Sequence, residues 1–193
     1  MVIKIASVIE LEKHVTKDIH DSHTNGELTV IWRDWDNIIE KTPKMVYVSS
    51  VNPREIKGPH LHKKRTSYFS CIHGKVVFII QDKDGNFEEI EVDSEKPVLI
   101  CVPNGIASAH VNVGKEQARI LVLADIAWKP NDNEMVNVEF NGYNWEKWKW
   151  STKLIFPHYF TSKNSMFNIL EINNLTNDKN WIIQNYEIYY LLV

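Results

Sequence analysis

Two histidines separated by one residue, His60 and His62, stand in the stretch Gly58-Pro-His-Leu-His-Lys-Lys-Arg-Thr-Ser-Tyr-Phe-Ser-Cys-Ile-His-Gly74. Histidine takes up and returns a proton near neutral pH without extreme tuning, so the pair points to general acid–base chemistry. On a strand, side chains alternate between faces. His60 and His62 then project together, and if the strand runs on, Lys64, Thr66, Tyr68 and Ser70 share their face. Farther along, Pro103-Asn-Gly-Ile-Ala-Ser-Ala-His-Val-Asn112 repeats the arrangement, with Ser108, His110 and Asn112 two residues apart. Two such strands facing one another would line a pocket. Cys71 falls on the opposite face from His60 and reads as a packed thiol. His73, beside Gly74, reads as a turn residue, and His14, His20, His23 and His158 as surface groups.

The elements that must position these residues are short β-branched and aromatic runs at intervals of about ten residues, which indicate a sandwich or barrel and not βαβ units. The runs are Leu28–Trp32, Met45–Val51, Tyr68–His73, Val76–Gln81, Phe87–Val92, Pro97–Val102, His110–Val113 and Ala118–Ala124. Asp82-Lys-Asp-Gly-Asn86 has hairpin-turn chemistry between two of them. Past Lys129-Pro130 the composition shifts toward Asn and Trp, with Trp145, Trp148 and Trp150 close together and an apolar end at Trp181–Val193. This divides the chain into a β domain over 1–140 and a C-terminal extension over 141–193, docked on the core or on a partner subunit.

The whole chain has 193 residues, 44% hydrophobic and 24% charged, the composition of a globular domain with one sizeable core. A net charge of −3 supplies no field for nucleic acid or an anionic membrane, and neither is expected as a partner. No run approaches the roughly 20 apolar residues of a membrane span. Two cysteines, Cys71 and Cys101, are too few for a disulfide scaffold, and the N-terminal run lacks a leader's basic and apolar regions, so a cytoplasmic location is expected.

Through these motifs the chain resembles a cupin, the double-stranded β-helix jelly roll, over about residues 24–140. The first cupin motif is similar to the segment holding His60, His62 and Gly74, and the second to that holding Pro103, Gly105 and Asn112. The resemblance departs from metal-dependent cupins at two of four ligand positions. The glutamate position falls on Thr66 or Ser67, and the last histidine position on Ser108.

Within the cupins, Gly58, His60, His62, Lys63 and Lys64 are similar to the Gly-x-His-x-His-Lys-Lys stretch of the dTDP-4-keto-6-deoxyhexose 3,4-ketoisomerases, and Val122–Asp125 looks like a strand of theirs. The dTDP-4-dehydrorhamnose 3,5-epimerases carry one histidine at the place of His60. Their acid tyrosine would fall near Val122 and their arginine on Asn25, and neither is present. The resemblance implies an all-β cupin acting as a metal-free isomerase with no cofactor, a nucleotide-sugar substrate, dTDP-linked, a role in surface polysaccharide biosynthesis, and a homodimer.

Proton abstraction beside a ketone needs a base near neutrality, assigned to His60. The second proton-transfer group is His62, with Tyr68 and His110 as further candidates. Arg54, Lys57 and Lys64 are candidate phosphate ligands, and Thr66, Ser70, Ser108 and Asn112 candidate sugar ligands. Tyr47, Trp32 and Tyr68 are each able to stack on a nucleotide base. Two other readings stay open: a metal enzyme using His60, His62 and His110, and a sugar-binding cupin without catalysis.

Overall fold

The computed structural model describes residues 5–148. Its strands are β1 (Ser7–Glu10), β2 (Lys13–Lys17), β3 (Thr24–Thr29), β4 (Met45–Val51), β5 (Ile56–His62), β6 (Ser67–His73), β7 (Lys75–Gln81), β8 (Phe87–Asp93), β9 (Val98–Val102), β10 (Ala107–Asn112), β11 (Ala118–Ala124) and β12 (Met135–Asn137). They form two five-stranded antiparallel sheets, ordered β1-β9-β6-β11-β4 and β12-β5-β10-β7-β8, while β2 and β3 make a separate hairpin. From β4 to β12 the chain alternates between the two sheets except at the β7–β8 hairpin, which is the jelly-roll arrangement implied by the motifs.

The central strands read as unbroken apolar runs because they are buried on both faces. In β7, Val76, Phe78 and Ile80 pack between the sheets against Ile100, Ile120 and Val122. The alternate residues Val77 and Ile79 pack outward under Phe140, Tyr143, Trp145 and Trp148. The outer face of the first sheet is covered in the same way, with Ile31, Trp32 and Ile39 over Tyr68, Leu99 and Leu123. Each fully buried Ile or Phe contributes about 1.5–3 kcal/mol, so the cover segments are part of the core. Trp145 and Trp148 lie in a 3-10 turn at Trp145–Trp148. Trp150, His158 and the apolar end fall outside the described residues, as does most of the proposed extension.

Several expectations change. The run Leu28–Trp32 is strand only to Thr29, after which Ile31 and Trp32 turn in as cover. The strand carrying His60 and His62 does not run on to Ser70. It ends at His62, and the chain crosses through residues 63–66 to the other sheet before β6 begins at Ser67. The crossing resets the alternation, so Phe69 and Cys71 face between the sheets while Tyr68 faces outward. Cys71 is the packed thiol the sequence implied, with burial pushing it up to about 11.

Candidate functional site

A pocket of about 450 Å³ opens between the two sheets, and its walls come from both. β5 contributes Lys57, His60 and His62, and β10 contributes Ser108 and His110. Facing them are Tyr47 and Ser49 of β4, Phe69 of β6 and Val122 of β11. The convergence depends on a close backbone contact. A Cβ on Gly58, whose φ is +91°, would stand 2.8 Å from the Ser108 carbonyl oxygen and 3.2 Å from the Ala109 Cα. Only glycine fits there. Beside it the β5–β10 register shifts, so that Ser108 pairs with His60 while His110 pairs with Lys57. The irregularity turns Lys57 and His60, three residues apart, toward one pocket.

Each histidine has a defined environment. His60 Nδ1 lies 2.9 Å from Asn137 Oδ1. His62 Nδ1 lies 2.7 Å from Glu134 Oε2, and Arg65 Nη2 donates to His62 Nε2 at 2.7 Å. A guanidinium has no acceptor to offer, so His62 is the neutral imidazole with its proton on Nδ1. Burial lowers its pKa below the usual histidine value despite the opposing bond to Glu134. His110 packs on Phe78 at 5.2 Å, and its buried Nε2 has no hydrogen-bond partner among the described residues. Burial, then repulsion from Lys57 and His60, pushes its pKa down to about 4.

Glu134 ties the His62–Arg65 corner together. Its carboxylate accepts from His62, from the Lys64 amide at 3.2 Å and from the Arg65 amide at 3.0 Å. The Arg65 Nε lies 3.9 Å from the same group. Burial alone would raise the Glu134 pKa, but the hydrogen bonds from His62, Arg65 and Lys64 outweigh it and hold the carboxyl below its ordinary range. Arg65 and Glu134 are 6% and 9% exposed, so this is a buried ion pair at the pocket wall.

Of the residues expected from the sequence, His60, His62, His110, Lys57 and Ser108 come together. Lys64 is exposed and contributes its amide to Glu134, while Arg65 takes the inward place. Thr66 lies off the pocket, its amide bonded to Asp125 at 2.9 Å. Ser70 is on the outward side of β6, buried at 1% exposure. Tyr68 also faces outward, its hydroxyl accepting from the Glu40 amide at 3.3 Å and its pKa pushed up to about 12 by burial. It borders a second cavity with Cys101 and Ile39, apart from the histidines. Asn112 is structural. Its amide donates to the Val51 and Glu116 carbonyls and its Oδ1 accepts from Gly114, which uses the whole side chain. Arg54 sits before β5 with its amide on the Asn112 carbonyl and does not line the pocket. Trp32 is cover on the first sheet, leaving Tyr47 as the aromatic of the three that faces the pocket.

The sequence reading missed Arg65, Glu134 and Asn137. Arg65 sits in a basic run that normally marks a solvated edge. Glu134 and Asn137 carry no motif, and only the pairing of β12 with β5, Asn137 opposite His60 and Met135 opposite His62, brings them in. Tyr47 stands directly opposite Val122 in the β4–β11 register. A tyrosine therefore enters the pocket from the strand next to the one where the epimerase tyrosine would fall. Burial raises its pKa, so the phenol keeps its proton at neutral pH. Among the described residues, the acidic and histidine groups close enough to share an ion are Asp18, Asp21 and His23, on the turn between β2 and β3. The pocket histidines do not form such a group, and a guanidinium occupies the open nitrogen of His62.

Comparison with known proteins agrees with this architecture. The spore coat polysaccharide biosynthesis protein SpsL of Bacillus subtilis (strain 168) is 23% identical over 141 residues, covering 68% of this chain and 93% of SpsL. A dTDP sugar isomerase from Desulfovibrio desulfuricans G20 superposes with a TM-score of 0.64 at 17% identity, over 73% of this chain and 90% of that one. QdtA, a sugar 3,4-ketoisomerase from Thermoanaerobacterium thermosaccharolyticum solved with TDP, gives 0.56 at 20% identity, over 76% and 93%. ChmJ, a 3'-monoepimerase from Streptomyces bikiniensis solved with dTDP-quinovose, gives 0.58 at 16% identity, over 72% and 71%. The family model described as FdtA: WxcM-like, C-terminal matches residues 6–143, which takes in both sheets, β12 and the pocket, and the chain belongs to that family.

Proposed function

We propose that the chain is an isomerase of nucleotide-linked 4-keto-6-deoxy sugars, an epimerase or 3,4-ketoisomerase, acting by histidine-mediated proton transfer without a metal. The relatives support this reading: one is named for spore coat polysaccharide biosynthesis, and the structural neighbours are sugar isomerases and epimerases, two of them solved with dTDP or TDP-type ligands. The observation that carries it is the state of His60, whose Nδ1 is engaged by Asn137 and whose Nε2 is left to act as a base at the pocket.

In this mechanism His60 Nε2 removes the proton from the carbon next to the C4 ketone. The C–H electron pair becomes the C=C bond of an enolate, and the carbonyl pair moves onto the C4 oxygen. The Tyr47 phenol donates a proton to that oxygen. Return of the proton from His60 to C4, with the C3 hydroxyl proton passing to the Tyr47 phenolate, gives the 3-keto isomer. For the epimer, a solvent proton adds to the original carbon from the face opposite His60, the enol proton goes back to the Tyr47 phenolate, and His60 releases its proton to water. Lys57, held on Ser49 Oγ at 3.0 Å, supplies cationic charge for the diphosphate, and Ser108 a hydroxyl for the sugar. A homodimer and a cytoplasmic location belong to the same proposal, and sedimentation of the full chain tests the first.

The test is NMR of the full chain with dTDP-4-keto-6-deoxyglucose in D2O, beside His60→Asn and an EDTA-treated sample. Deuterium entering at C3 or C5, or at C4 of a 3-keto product, lost in the variant and kept with EDTA, supports the mechanism, and the product separates epimerase from ketoisomerase. No exchange in any sample overturns the proposed activity on this sugar.

A further inference from the structure

The two histidines of the His-x-His pair have the same sequence environment and opposite situations. Each turns its Nδ1 toward a group carried on or beside β12. Asn137 Oδ1 lies 2.9 Å from His60, and Glu134 Oε2 lies 2.7 Å from His62. A carbonyl or carboxylate oxygen only accepts, so each Nδ1 must carry the proton. The β5–β12 register places both contacts, with Asn137 opposite His60 and Met135, next to Glu134, opposite His62. The nitrogens on the far side of the rings then differ. That of His62 is closed by the Arg65 guanidinium at 2.7 Å, while that of His60 has no bond from the described residues.

We propose that β12 is the positioning strand of this site: Asn137 and Glu134 each hold the Nδ1 proton of one histidine, so that His60 presents an unprotonated Nε2 to the pocket while His62 is a neutral strut on Arg65 and exchanges no proton. Asn137 and Glu134 are positioning residues, since they act through the two rings. The assignment deepens the isomerase reading, on which its catalytic meaning rests, and it reverses the sequence expectation that His62 shuttles the second proton. The acceptor on each Nδ1 does what the buried acid does for the histidine of a hydrolase triad, fixing tautomer and ring orientation.

The experiment is ring-nitrogen NMR of the full chain labelled with 15N-histidine, with His60 and His62 assigned by His60→Gln and His62→Gln. Both rings are expected as neutral Nδ1–H tautomers at pH 7.5. Asn137→Leu removes the acceptor and returns His60 to the Nε2–H tautomer that a free histidine prefers, leaving His62 unchanged. Asn137→Asp keeps an acceptor and keeps the tautomer. In the D2O exchange assay, kcat falls by about ten- to a hundredfold in Asn137→Leu and is restored in Asn137→Asp. A wild-type His60 found as Nε2–H, or an Asn137→Leu spectrum identical to wild type, overturns the proposal. The tautomers are read without substrate, so failure of the isomerase reading on the tested sugar is seen separately as absent exchange with the expected tautomers in place.

Discussion

Burial holds the His110 imidazole neutral far below the pH at which a free histidine takes up a proton. Its pKa is pushed from 6.5 to about 4, chiefly by desolvation and then by the charges of Lys57 and His60. A histidine depressed in the native state is protonated first in the unfolded chain. Its stabilising contribution is complete above pH 6.5 and is lost as the pH falls from there toward 4, where the native ring also takes a proton. The shift of about 2.5 units corresponds to roughly 3 kcal/mol in total, lost at up to about 1.4 kcal/mol per pH unit. The perturbation is His110→Gln, which keeps a polar side chain of similar reach and cannot titrate. Urea unfolding of both proteins followed by tryptophan fluorescence at pH 7.5 and pH 4.5 isolates the group, because all other titrations are shared. Wild type should lose about 2–3 kcal/mol more than the variant between the two pH values. Equal losses would refute the reasoning, since the buried, unpartnered Nε2 would then cost nothing to protonate.

Glu134→Gln keeps the shape of the side chain and removes its charge, leaving the Arg65 guanidinium buried without its counter-ion. Urea unfolding should show a loss of about 3–5 kcal/mol, and a loss under about 1 kcal/mol would mean that the pair is not buried as described. Tyr47→Phe should lower kcat by about 10²–10⁴-fold, as expected for loss of a positioned acid. Tyr68→Phe should leave turnover unchanged and cost about 1 kcal/mol of stability, because its hydroxyl meets the Glu40 amide on the far side of the sheet. Reversal of the two tyrosine results in the exchange assay would mean that the assignment of faces is wrong.

The jelly roll was legible because its central strands announce themselves. β7 is apolar at five successive positions since both its faces are covered, and β4 and β11 appeared with their observed bounds. The His-x-His pair, Lys57, Ser108 and His110 were legible through period-2 alternation and motif spacing. Alternation failed where the chain left one sheet for the other. Between His62 and Ser67 the backbone is no longer a strand, so counting by two past His62 selected Lys64, Tyr68 and Ser70 in place of Arg65 and Phe69. Asn112 misled for another reason. An asparagine at the end of a strand closes a turn with the same atoms that would bind a sugar, and composition does not separate the uses. β12 was invisible because three residues carry no periodicity, and its meaning lies wholly in which strand it joins.

Among the described residues, β12 is a three-residue edge strand hydrogen-bonded to β5 alone, and two of its three residues are exposed. Short edges open at a small fraction of the free energy of global unfolding. The sheets around Phe78 and Ile100 remain packed during such an opening, but Asn137 leaves His60 and Glu134 leaves Arg65. On the proposed role of His60, catalytic competence and foldedness are held by different parts of the chain, and activity is expected to fall on heating before tryptophan fluorescence or circular dichroism records unfolding.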